Sequence, residues 1–132
     1  MDAQAALGEL MELSAQVDRA AILDEGDVVL ASSEEQPAAA DSLARAALEL
    51  LAAAADVRPG GPAVTRLEVA LPEGSVFVVR EGASTVVAAT VPEPASGLVL
   101  YDLRTCARRI EEEPPPRPAR RRRARATEDA GA

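Results

Sequence analysis

Arginine supplies all of the cationic side-chain chemistry in this 132-residue chain, which has fourteen arginines, no lysine, no histidine and a single thiol at Cys106. Nucleophilic and metal chemistry need groups that are missing. A Ser-His-Asp or Cys-His arrangement requires an imidazole base, a Schiff base requires a lysine, and a structural zinc site requires several cysteines or histidines. The residues therefore predict no catalytic group, no metal and no cofactor, and the chain reads as a protein that is not an enzyme. The adjacent carboxylates Glu34 and Glu35 read as helix-entry charges, favoured by the positive end of a helix dipole, and not as an acid–base pair. Cys106 falls on an apolar helical stripe and reads as a small buried hydrophobe; a redox sensor or an intersubunit bridge are the alternatives. Glu111 to Glu113 read as an exposed acidic run.

The elements that must position any binding residues are bounded by composition. A chain of this length builds one core and not two. With 48% hydrophobic and 27% charged residues it is globular, but Phe77 and Tyr101 are its only aromatic residues. Its core must then come from Leu, Val, Ile and Ala, and aromatic-lined pockets for ligands or stacked bases are excluded. Abundant alanine and arginine without lysine is the composition of a GC-rich coding sequence.

The formal charge of −8 conceals an asymmetry. Residues 1–113 hold 8 Arg against 20 acids, a formal −12, whereas residues 114–132 hold 6 Arg against 2 acids, a formal +4. A domain is predicted over residues 1–112 and a disordered Pro/Arg-rich tail over residues 113–132, because proline and like charge there prevent a packed core. Arg120, Arg121, Arg122, Arg123 and Arg125 could contact an anionic surface such as a charged lipid layer, an interaction the acidic domain opposes; a solvated tail and contact with the acidic domain are the other readings. No specific nucleic acid is expected. One cysteine, a start without a basic or apolar leader, and no run of about 20 uncharged residues predict a cytoplasmic location.

Periodicity sets the order of elements. Ala3, Ala6, Leu7, Leu10, Met11 and Ser14 recur at helical spacing, so residues 2–15 are expected to form an amphipathic helix. Apolar runs at Val17 to Asp24 and Val28 to Ser32 flank Glu25-Gly26-Asp27, a hairpin turn in which Gly26 can take positive φ. From Pro37 to Asp56 a second helix is expected to bury Leu43, Ala46, Ala47, Leu50, Leu51 and Ala54, with Arg45 and Glu49 paired across one turn. Its other face is small and apolar, either as alanine filling or because a partner packs there. The stretch from Arg58 to Pro62 ends that helix. A strand with Thr65, Leu67, Val69 and Leu71 alternating against Arg66 and Glu68 has one wetter face or lies near an edge. Val76 to Arg80 and Thr85 to Val91, joined at Glu81-Gly82-Ala83, are apolar on both faces and belong inside a sheet. Val99, Leu103, Cys106 and Ile110 place a third helix over residues 96–112. The order α-β-β-α-β-β-β-α predicts an α/β (α+β) fold, a five-stranded antiparallel sheet with helices on both faces.

That order, with the hairpin AAILDEGDVVLASS, the helix DSLARAALELLAAAADV, the strand pair SVFVVREGASTVVAATV and the final helix GLVLYDLRTCARRIEE, resembles the roadblock/dynein light chain family over about residues 1–112. The hairpin turn departs from the pattern, since many members carry one more residue before the glycine. The resemblance implies a roadblock/profilin-like fold and a non-catalytic homodimer. Its third strands, Val64 to Leu71, would pair edge to edge and its second helices, Ala38 to Asp56, would pack side by side, so Thr65, Leu67, Val69 and Leu48 are the expected dimer contacts. It also implies, for bacterial members, a partner or regulator of a small Ras-like GTPase, in some cases a GTPase-activating protein. Arg45, Arg58 and Arg66 are by position the arginines that could reach a phosphate, although relatives reshape the GTPase's own site and each arginine also reads as an ordinary solvated charge. The partner surface is expected on the second helix at Arg45, Glu49, Ala52 and Asp56. A scaffold or ligand-sensing component of a signalling complex is the alternative function.

Overall fold

The computed structural model describes residues 1–112. The tail, with the contact role expected of Arg120, Arg121, Arg122, Arg123 and Arg125, lies outside the described residues.

The elements follow the predicted order: α1 (Ala3–Leu13), β1 (Val17–Leu23), β2 (Val29–Ser32), α2 (Pro37–Val57), β3 (Arg66–Leu71), β4 (Gly74–Glu81), β5 (Ser84–Thr90) and α3 (Ser96–Glu112). The five strands form one antiparallel sheet in the order β2-β1-β5-β4-β3. Helices cover both faces, so β1, β5 and β4 alternate two buried sets of side chains. On one face Ala20, Ile22, Phe77, Val79, Val86 and Ala88 pack with α1 and α3 through Leu7, Leu10, Val99 and Leu103. On the other, Ala21, Leu23, Val78 and Val87 pack under α2. The strand pair thus needs to be apolar at nearly every position. Val17 joins the α1/α3 face with Ala20 and Ile22 because the β1–β5 register shifts between Val17 and Arg19. The extra residue there reverses the side-chain phase.

α1 begins where Asp2 caps the helix, its Oδ1 accepting from the Ala5 N–H at 2.8 Å, which satisfies one of the free first-turn amides. α2 begins at Pro37, which suits a first-turn position because its missing N–H would have no helical partner.

Several sequence expectations are corrected. Positive φ in the β1–β2 turn belongs to Asp27 (φ 65°), not Gly26. Asp24 Oδ1 accepts from the Gly26 N–H at 2.8 Å and the Val28 N–H at 3.0 Å, so the carboxylate shapes the turn and the left-handed position falls one residue later. α2 is rotated from the expected stripe: Ala40, Leu43, Ala44, Ala47 and Leu51 are buried, Ala46 is exposed, and Leu50 and Ala54 are half-buried. An alanine-rich helix offers two stripes of similar hydrophobicity, and the one with Ala44 and Ala47 inside lets the backbone approach the sheet. Arg45 and Glu49 form no ion pair among the described residues. The basic residue precedes the acid, the weaker order for an i, i+4 pair. Glu34 sits before α2 and bridges Arg19 at 3.6 Å. Glu111 is exposed, as expected, and also accepts from the Ala83 N–H at 3.0 Å, a contact the sequence does not announce.

Candidate protein-binding surfaces

α2 presents Arg45, Glu49, Ala52 and Asp56 on one exposed stripe, since their spacings of four, three and four residues keep them on a single helical face. Small alanines surround them: Ala46, Ala53 and Ala55 are also exposed. The stripe carries one cation, two carboxylates and little side-chain bulk to hold off another backbone.

α2 does not cover the whole sheet face. It packs on β1, β2 and β5, leaving the β3 side of that face with a cleft of about 330 Å³. Leu48, Leu51, Ala52 and Ala55 line it from the helix, and Ala63 and Val64 line it from the approach to β3. Leu48, Val64 and Leu67 pack against the α2 core while remaining half-buried. Asp27 and Arg80 close one end, where Arg80 Nη2 lies 3.3 Å from Asp27 Oδ1 and Arg80 Nε donates to Thr85 Oγ1 at 3.1 Å. These polar groups are already engaged with one another. The cleft therefore offers mostly apolar area, with its charged pair at one end already engaged, which favours a protein surface as its occupant.

β3 is the second surface and is continuous with the first. Its inner edge is bonded to β4, with the Arg80 N–H donating to the Thr65 carbonyl at 2.7 Å. Antiparallel strands alternate the direction of their backbone groups, so Thr65, Leu67, Val69 and Leu71 address β4, whereas Arg66, Glu68 and Ala70 direct their N–H and C=O groups outward. The six-residue strand contains no proline and no bulge, and its three outward residues leave their backbone groups open. The sheet's other edge, β2, has only four residues and an irregular register against β1, the kind of edge that resists further pairing. Leu67 and Val69 are half-buried on the α2 face, and Thr65 lies exposed just before the strand.

The three arginines that could reach a phosphate are not brought together. Arg45 is on the outer face of α2, Arg58 caps its C-terminus, and Arg66 lies across the sheet, on the face that α3 covers. Sequence reasoning missed Arg80, which closes the cleft. The only local signal is a charge ending the apolar run Val76 to Val79. It also missed Glu81, which bridges Arg108 at 2.8 Å and Arg104 at 3.9 Å. Cys106 is buried, donates weakly to the Ala6 carbonyl at 3.6 Å, and is raised to about 11 by burial and, secondarily, by the Glu9 carboxylate. No group of metal-ligating residues is present among the described residues, and no described helix is long and apolar enough to cross a membrane.

No family model and no curated protein matches the chain. Solved structures do. A Roadblock/LC7 domain from Streptomyces avermitilis is 19% identical with a TM-score of 0.72, covering 84% of this chain and 96% of that one. MglB from Myxococcus xanthus is 16% identical with a TM-score of 0.67, covering 82% and 90%. Profilin II from Acanthamoeba castellanii is 17% identical with a TM-score of 0.52, covering 82% and 96%. Residues 1–112 have the roadblock/LC7 fold, with the profilin fold as a more distant relative.

Proposed function

We propose that the chain is a non-catalytic homodimeric module of the roadblock type that regulates or scaffolds a small Ras-like GTPase through the outer face of α2. One observation carries the reading: the exposed stripe Arg45, Glu49, Ala52 and Asp56 lies beside an open apolar cleft and an unguarded edge strand. Pairing β3 with its copy would remove the open edge and bring two α2 helices alongside each other above the joined sheet, through contacts of Thr65, Leu67, Val69 and Leu48. The two stripes would then form one platform for the switch loops of the GTP form. The roadblock fold of MglB supports this reading by likeness alone, since a fold hosts more than one function. On this view the separated arginines act as ordinary surface charges, and any acceleration of hydrolysis comes from reshaping the GTPase's own site. The protein works in the cytoplasm, without a cofactor.

Tagged full-length protein incubated in native lysate with a non-hydrolysable GTP analogue, or with GDP, tests the proposal. Retention of a Ras-like GTPase in the GTP-analogue half only, lost with Glu49→Arg while the dimer mass is unchanged, is the expected result. Equal retention by Glu49→Arg would overturn the α2 platform. Absence of any GTPase in both halves would leave a scaffold or ligand-sensing role as the reading to pursue.

A further inference from the structure

The outward residues of β3 carry one cation and one carboxylate two positions apart, Arg66 and Glu68, both on the sheet face that α3 covers. Glu68 is held there, its Oε2 accepting from Ser96 Oγ at 2.6 Å, while Arg66 makes no ion pair among the described residues. For the β3-paired homodimer of the proposed function, we infer a single register, in which Arg66 lies opposite Glu68 of the partner subunit and Leu67 meets its own counterpart on the two-fold axis. This rests on the homodimer reading and adds what selects the partner and its alignment.

A two-fold axis perpendicular to the sheet keeps both α2 helices on one face, and it pairs outward residues only with outward residues. Few registers remain. Centring the pair on Glu68 sets two carboxylates directly opposite each other, and centring it on Arg66 does the same with two arginines. Both arrangements are unfavourable. Centring on Val69 places Arg66 opposite Pro72, which lacks an N–H for the ladder. Centring on Leu67 gives two Arg66–Glu68 pairs related by symmetry. It also sets the two Leu67 side chains in the closer, non-hydrogen-bonded kind of position on the α2 face, beside the cleft lined by Leu48 and Val64. A one-residue slip would put each side chain on the wrong face, so the charge pairs need only discriminate between registers two residues apart.

The test uses the full chain in a Cys106→Ala background, with Leu67→Cys, Glu68→Cys or Val69→Cys added singly. Mild oxidation and sedimentation are followed in parallel. A dimer by sedimentation with fastest crosslinking of Leu67→Cys is expected. Fastest crosslinking of Glu68→Cys or Val69→Cys, or a dimer that crosslinks at none of the three, overturns the register while leaving the dimer standing. A monomer at every concentration overturns the dimer reading itself, and the register with it. Charge reversal supplies a second readout. Arg66→Glu or Glu68→Arg alone should weaken self-association about tenfold, and the double exchange Arg66→Glu/Glu68→Arg should restore it. A register centred on Glu68 would instead leave two like charges opposed in the double exchange and gain affinity with Glu68→Gln.

Discussion

The Glu111 carboxylate, in the last turn of α3, accepts a hydrogen bond from the Ala83 N–H at 3.0 Å and so ties the end of that helix to the turn between β4 and β5. The same contact closes over Gly82, whose φ of 60° is left-handed; a Cβ added there would stand 2.8 Å from the Glu111 Cδ. Helix, turn and glycine form one clamp at that end of the sheet.

Gly82→Ala should therefore lower stability by about 1–2 kcal/mol, from the left-handed backbone and the displaced carboxylate together. Glu111→Ala removes an exposed hydrogen bond and should cost less than about 1 kcal/mol. The double variant should be less destabilised than the sum, because truncating Glu111 relieves the crowding at Gly82. Urea denaturation of the four proteins gives the coupling, and strict additivity would show that the clamp does not exist.

In the β1–β2 turn, Asp24→Ala should cost about 1 kcal/mol, since two backbone amides lose their acceptor in one substitution. Asp27→Gly should be tolerated better than Asp27→Ala. Both lose the surface ion pair to Arg80, but only alanine must carry a side chain at φ 65° without a polar group to stabilise it. Equal destabilisation would argue that the ion pair, and not the backbone, dominates at Asp27.

The contrast between this turn and α3 shows where the sequence was legible. Ser96–Glu112 agrees with the sequence-derived bounds because Pro92 and Pro94 precede the helix and one apolar stripe, Val99, Leu103, Cys106 and Ala107, can alone meet the sheet. In the turn, positive φ was expected of glycine on conformational grounds. The Asp24 carboxylate decides the geometry instead, through contacts two and four residues along the chain. α2 was legible as a helix but not in its rotation, since alanine at most positions gives the hydrophobic pattern little power to choose a face. Arg45, Glu49, Ala52 and Asp56 remain exposed in that rotation. Arg80, Glu81 and Glu111 act through partners distant in sequence, Asp27, Arg108 and Ala83, and no local spacing announces such contacts.

The sheet separates two cores, and Phe77 is the largest side chain fully buried in either. Phe77→Ala should cost about 3–5 kcal/mol, because alanines at Ala20 and Ala88 in the same core have no bulk to move into the space. Tyr101→Ala, at a 62% exposed position on α3, should change stability by less than about 0.5 kcal/mol. Thermal or urea unfolding of both variants measures the difference. A mild Phe77→Ala would mean that the α1/α3 layer closes onto the sheet when the ring is removed.

Cys106 gives the chain a pH dependence of defined sign. Burial, and secondarily the Glu9 carboxylate, raises its thiol from 9.0 to about 11, so the folded state favours the protonated form. The unfolded chain ionises first. Stability from this group is therefore complete below pH 9 and is lost as pH rises from there through about 11. Cys106→Ala removes that loss, so the stability difference between the native chain and the variant should narrow over this window and stay constant below it. The same burial predicts that iodoacetamide at pH 8 labels the native protein far more slowly than the urea-unfolded one, as the thiolate is scarce and the Sγ faces the Ala6 carbonyl. Equal labelling rates in the two states would show that α1 opens away from α3 readily, and would place Cys106 among accessible thiols instead of core residues.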